Sequence, residues 1–190
     1  MKRLFALALG VALAAPAAAE WTLDNDASDL NYVSIKAGHK GEVNEFDQLS
    51  GSVEDGRAEV TIDLASVDTG VDIRDKRMRK MFFKVGDFPT AELTAEFEAT
   101  LVENLFPGDT TRARVPAELT LQDTSRELEI PVRLLRLDKE TLVATSAAPV
   151  VINAEDFGLD ESVKALREVA GLDSISRAVP VHFNLTFRRD

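Results

Sequence analysis

The residues with the clearest capacity for chemistry lie close together. Between Arg74 and Lys84 stand six cations (Arg74, Lys76, Arg77, Arg79, Lys80 and Lys84) and one anion, Asp75. The local charge is +5 in a chain whose formal charge is −11. Arg74, Arg77, Arg79 and Lys80 have the right chemistry to hold an anionic head group. Each charge-assisted hydrogen bond of that kind contributes about 1.5–3 kcal/mol. The same cations could instead pair with the acidic excess around them and remain solvated. Asp75, beside Arg74, is expected to tie this segment to the rest of the fold rather than to touch a ligand.

Other chemistry is missing by residue type. With two His and no Cys, the usual structural zinc ligand sets cannot be assembled. His39 lies in a glycine-flanked turn and His182 on the polar face of a strand, so both read as solvated. There is no nucleophile-elbow motif and no glycine-rich phosphate loop. The expectation is a protein that is not an enzyme and has no metal and no cofactor.

The basic stretch must be positioned by its neighbours. Asp72 can cap a short helix, and Met78, Met81, Phe82 and Val85 then form one apolar stripe. Phe88-Pro89 ends it, because the residue before proline avoids the helical region. On either side the sequence alternates with period two. Leu30–Ala37 is rich in strand formers, and Val60, Ile62 and Leu64 face opposite Glu59, Thr61 and Asp63. Leu93, Ala95, Phe97, Ala99 and Leu101 continue the pattern, as do Ala113 to Leu121 and Leu128 to Leu134. At Leu135 and Leu137 the phase changes, which suggests a β-bulge. Leu142–Ile152 reads as one further strand, Asp160–Gly171 as a helix capped by Asp160, and Val179 to Phe187 as the last strand. The basic segment is therefore expected to be a helical lid across the end of a β-structure.

Residues 1–19 read as a secretory signal peptide. Lys2 and Arg3 form the charged region, Leu4–Ala15 the apolar core, and Ala17-Ala18-Ala19 the cleavage site before Glu20. That apolar run is shorter than the ~20 residues needed to span a bilayer. The expected location is the periplasm, with no membrane span after processing. Residues 20–190 suit one domain with a sizeable core. A pI near 4.7 argues against general nucleic-acid binding, which needs a basic face.

About eight one-faced strands with short turns point to an antiparallel barrel or a β-sandwich. A barrel of eight strands is wide enough to be filled by its own side chains or to hold one small ligand. The residues alone leave both choices open.

Three motifs carry a family resemblance: SVDTG with IRDKRMRKMFF (66–83), DFPTAELTAEF (87–97) and INAEDFGL (152–159). In that order and spacing they resemble the YceI-like family of periplasmic lipid-binding proteins, over about Trp21 to Arg188. The resemblance implies a lipocalin-like eight-stranded antiparallel β-barrel with one or two short helices and an apolar interior. It also implies an amphiphilic ligand with an isoprenoid tail, such as a polyprenyl phosphate or a quinone. The expected ligand contacts are Arg74, Arg77, Met78, Met81, Phe82, Phe97, Phe157 and Phe183. The competing expectation is a periplasmic accessory or stress-related protein, with a self-filled barrel, that acts through its surface.

Overall fold

The structure is a computed structural model that describes residues 21–189. The expected signal peptide and its cleavage site lie outside the described residues.

Eight antiparallel staves close into one barrel. They are β1 (Trp21–Leu23 and Asp29–Lys36), β2 (Lys40–Phe46 and Leu49–Glu54), β3 (Arg57–Asp63 and Val67–Asp68) and β4 (Thr90–Glu96), then β5 (Thr110–Leu121), β6 (Thr124–Arg136), β7 (Thr141–Ser146 and Val150–Asn153) and β8 (Ala178–Arg188). Four staves are broken once; β1 and β2 keep both neighbours on each side of the break, whereas the second pieces of β3 and β7 pair only with β2 and β8 respectively. Thr22 pairs with Ser52 and Asn31 with Glu45, so both pieces of β1 lie on β2. The barrel closes where β8 pairs with β1, through Thr22↔Arg188 and Phe183↔Leu30. Closure rules out the sandwich and leaves no long free edge to pair with another chain.

The order is a simple meander, so the connections alternate between the two ends. One end carries the tight turns Asp55-Gly56 and Leu137–Glu140, together with a short helix α2 (Thr100–Glu103). Gly56 adopts φ +80°, and a Cβ there would stand 2.3 Å from the Phe97 carbonyl oxygen, so only glycine fits this turn. The other end carries two long excursions. One holds α1 (Asp72–Arg77), and the other holds α3 (Asp160–Val169).

The α2 end is plugged. Trp21, Leu142, Phe187 and Val102 are buried there. Two guanidinium groups flank the indole, Arg136 at 4.4 Å and Arg189 at 4.5 Å from its ring centre. Arg136 also explains the phase change at Leu135. The β5–β6 and β6–β7 ladders run without an extra residue through Leu134 and Leu135, so the expected bulge is absent. Alternation simply continues with Arg136 inward, bonded to the carbonyls of Asp138 and Lys139, and with Leu137 outward.

Other expectations need correction. The strand through Phe97 to Leu101 stops at Glu96, and the chain turns into α2. Leu142–Ile152 is broken at Ala147–Pro149, although both parts pair with β8. Asp72 and Asp160 are first helical residues rather than caps, and neither helix receives a side-chain cap. Asp160 instead forms an ion pair with Arg177. In α3, Val169 points outward, whereas Val163 is buried.

Candidate functional site

The half of the barrel under α1 and α3 is hollow. Its cavity measures about 570 Å³, within the usual range for small-molecule sites. Its wall is built by the inward residues of the staves, such as Leu30, Val60, Leu93, Leu119, Ile130 and Phe183, and is almost wholly apolar. A second void of about 80 Å³ lies deeper. Val60, Leu93, Ile130, Phe183 and Leu185 line both, so these five side chains form the partition between them.

The lid is a helix that changes pitch. After α1, Met78–Phe82 forms a π turn, closed by the Phe83 N–H to the Met78 carbonyl at 2.9 Å. The wider turn brings Met78, Phe82 and Phe83 onto the inner side. Three attachments hold the lid. Rings run from the wall to the lid as Tyr32–Phe46 (5.5 Å), Phe46–Phe83 (5.6 Å) and Phe83–Phe82 (4.9 Å). Buried Asp75 accepts from the Thr69 N–H at 2.9 Å and from the Thr69 hydroxyl, which ties α1 to the end of β3 as expected. Gln122, in the β5–β6 turn, donates to the carbonyls of Phe82 (2.9 Å) and Phe83 (3.3 Å).

The mouth lies at the open end of β1 and β2. Alternation on β1 places Leu30, Tyr32, Ser34 and Lys36 inward, so the apolar wall becomes polar toward the rim. Glu42 reaches in from β2, bonded to Lys36 at 2.7 Å and to Arg74. The Lys36 ammonium, helped by the Arg74 guanidinium, holds the Glu42 carboxyl below its ordinary range. Arg74 also donates to the Thr69 carbonyl at 2.6 Å. Arg77 lines the cavity and has no ion-pair partner among the described residues.

Two residues lining this mouth keep a buried polar atom without a partner, the Tyr32 hydroxyl and Arg74 Nε; Asn44 Oδ1 on β2 and Arg79 Nε on the lid are unpartnered as well but do not line it. Asn44 is buried and spends its amide N–H groups on Ser34 Oγ and the Glu42 carbonyl, both at 3.2 Å. Burial pushes the Tyr32 phenol well above its ordinary pKa, with Arg74 opposing and Asp75 adding to the shift. The phenol therefore stays a hydrogen-bond donor at neutral pH. Unsatisfied buried groups are uncommon, and two lining one opening mark a place where a polar group fits.

Of the residues expected to meet a ligand, Arg74, Arg77, Met78, Phe82 and Phe183 line this cavity. Met81 does not, because the π turn rotates it off the inner face. Phe97 lines only the deeper void. Phe157 is buried with Ala154 and Leu159 in the packing beneath α3, where the INAEDFGL segment forms a tight turn ending at Gly158 (φ +69°). Sequence reasoning missed Tyr32, Ser34, Lys36, Glu42 and Asn44. The available signal was that the inward set of β1 turns polar after Leu30.

Two other groupings are less developed. The Ser146 hydroxyl meets His182 Nδ1, yet no carboxylate pairs with His182 among the described residues. Glu45, Asp47 and Asp68 bring carboxylate oxygens within 4.8 Å of one another at the surface.

The YceI-like domain model matches residues 21–187. The chain belongs to the YceI-like family. Its closed eight-stranded barrel is the YceI-like fold. A polyisoprenoid-binding domain from Saccharophagus degradans, implicated in plant cell wall breakdown, is 34% identical with a TM-score of 0.87, over 91% of this chain and 99% of its own. BcnA of Burkholderia cenocepacia (20% identity, TM-score 0.65, covering 86% of this chain and 98% of its own) and a YceI protein of Campylobacter jejuni (18%, 0.50, 74% and 83%) share the fold. No curated protein sequence matches this YceI-like chain.

Proposed function

We propose that this YceI-like protein binds and carries an amphiphilic lipid with an isoprenoid tail in the periplasm. The observation that carries this reading is an apolar cavity of about 570 Å³ whose polar end is lined by Tyr32 and Arg74, each with a buried polar atom left unpartnered. An apolar tail fits the wall, and a polar head group fits Tyr32, Arg74 and Arg77. Further support comes from the 34% identical domain, described as polyisoprenoid-binding, which matches along nearly its whole length. A hollow interior disfavours the self-filled accessory protein. Both head-group classes suit the mouth. A phosphate would use Arg77, whereas a quinone carbonyl would accept from Tyr32 without needing a free cation. No helix among the described residues is long and apolar enough to cross a membrane.

The test is extraction. Protein purified from the periplasm is treated with organic solvent, and the extract is analysed by mass spectrometry. A lipid released at one per chain is expected, from a polypeptide whose intact mass begins at Glu20. Protein that yields no lipid, and that binds neither charged nor neutral isoprenoids added back, would leave the carrier reading without support.

A further inference from the structure

We infer that the face around the cavity mouth docks on an anionic lipid bilayer. This inference rests on the carrier reading, because a water-insoluble amphiphile must be collected from a lipid surface. It concerns the outside of the protein rather than the cavity.

Two observations meet at this face. The first is apolar. Val71 is 44% exposed and Ile73 is 55% exposed, and both also line the cavity. They stand on the rim at the start of α1. Ala170 and Leu172, just after α3, line the cavity as well. Exposed apolar side chains at a cavity entrance need a reason, because the same residues turned inward would have gained burial.

The second observation is charge. Lys76, Lys80 and Lys84 are exposed and form no ion pair among the described residues. Lys76 and Lys80 lie three and seven residues beyond Ile73, which places them on the helical side that follows the apolar tip. Asp72 is the one exposed anion on this turn. Glu42 and Asp75 are engaged inside by Lys36, Arg74 and Thr69, while Asp87 beyond Lys84, and Glu168 and Asp173 on either side of Ala170 and Leu172, are exposed. The chain as a whole is strongly acidic, with a formal charge of −11. An anionic surface is therefore attracted to these lysines against the net repulsion of an acidic chain, which turns the mouth toward it. Apolar tips beside cations are the recipe for a shallow interfacial contact. The occupant this face fits is a bilayer carrying anionic head groups. Docking there places the mouth against the lipid, so that an isoprenoid tail passes from bilayer to cavity without crossing water.

The experiment is flotation of the purified protein with two kinds of vesicle, phosphatidylcholine alone and phosphatidylcholine mixed with phosphatidylglycerol. Binding to the mixed vesicles, falling with added salt, is expected. Each Lys near an anionic surface contributes about a fivefold gain in partition, so Lys76→Gln with Lys80→Gln should lower binding about 25-fold. Val71→Ser with Ile73→Ser should lower it at both low and high salt. Uptake of an isoprenoid supplied from detergent should be unchanged in the Lys variant, because neither Lys76 nor Lys80 lines the cavity, and Lys80, expected from the sequence as a head-group cation, stands outside it. Equal binding to the two vesicle types, or no loss in the Lys variant, would overturn the inference. Wild-type protein that takes the isoprenoid from detergent but ignores both vesicles would overturn docking alone and leave the carrier reading intact. Protein that binds mixed vesicles as described but takes up no isoprenoid would support docking and count against the carrier reading.

Discussion

Tyr32→Phe is a substitution whose two effects should have opposite signs. The change removes one buried hydroxyl that has no partner in the ligand-free protein and keeps the ring stacked against Phe46. A polar group buried without a partner costs about 1–3 kcal/mol. Ligand-free Tyr32→Phe should therefore be more stable than the wild type. For a domain of this size each kcal/mol moves Tm by about 2–4 °C. Affinity should move the other way. If a carbonyl accepts from the phenol, the loss is about 0.5–1.5 kcal/mol, or up to tenfold. If a phosphate accepts, it is about 1.5–3 kcal/mol, or one to two powers of ten. The same variant also tests the titration. Burial raises the Tyr32 pKa, so above pH ~10 the unfolded phenol ionises while the native one does not. The unfolded state then binds fewer protons, and wild-type stability falls as pH rises through this range. Tyr32→Phe should lack that part of the alkaline loss. Tyr32 is the only tyrosine in the chain, so tyrosinate absorbance reports on it alone. The assays are differential scanning fluorimetry of delipidated protein across pH and titration with charged and neutral isoprenoids. A lower Tm in the ligand-free variant at neutral pH would refute the reasoning, because it would mean the hydroxyl is already satisfied.

Three further outcomes are expected. Arg77→Gln should leave Tm unchanged and weaken an anionic isoprenoid by one to two powers of ten, with little effect on a neutral one, whereas Arg74→Gln should lower Tm because it abandons Glu42 and the Thr69 carbonyl; isothermal titration and thermal melts separate the two. Asp75→Ala should cost about 3 kcal/mol or more in urea unfolding, since the Thr69 N–H and hydroxyl both lose an ionised acceptor, and an unchanged midpoint would show that α1 is held by its aromatic contacts alone. Leu93→Ala should cost about 2–5 kcal/mol and open the partition between the two voids, shifting preference toward longer isoprenoid tails in a competition assay; an unaltered preference would mean the tail stops short of that wall.

Much of the barrel was legible because alternation is a local signal. A residue's side of a strand follows from its neighbours in sequence, so β3 to β6 and β8 could be read directly. Where that rule is overridden, the cause is tertiary. Arg136 occupies an inward position because Trp21, more than a hundred residues earlier, supplies an aromatic face and the next loop supplies two carbonyls. Nothing near Leu135 announces this. The π turn at Met78–Phe82 is likewise invisible in the sequence, since the pattern of Met and Phe fits an ordinary helix with a different inner face. That is why Met81 was expected inside. The basic stretch was legible as a charged site, but its internal accounts were not. Which cations are already matched depends on Glu42, brought beside Arg74 only by the β2 register. Tyr32 and Asn44 sit in strands that look ordinary, and their significance arises only from what fails to meet them.

Under the carrier reading, cavity size and lid attachment together constrain how cargo is released. An isoprenoid tail of about forty carbons, at ~0.8 kcal/mol per buried carbon, would nominally gain some 30 kcal/mol, beyond the ~18–21 kcal/mol at which affinities saturate. A cavity of about 570 Å³ suits a ligand of ordinary small-molecule size, so it holds only part of such a tail. Partial burial brings the affinity back into a range where dissociation is feasible. The lid is poorly suited to lifting, since it is held by the ring series, by Asp75 on Thr69 and by Gln122 on two carbonyls. Lifting it would break all three at once. The tail is then better released through the rim between α1 and α3, where Val71, Ile73, Ala170 and Leu172 already offer it an apolar surface. Lid substitutions should on this argument change stability more than release rate, and rim substitutions should do the reverse.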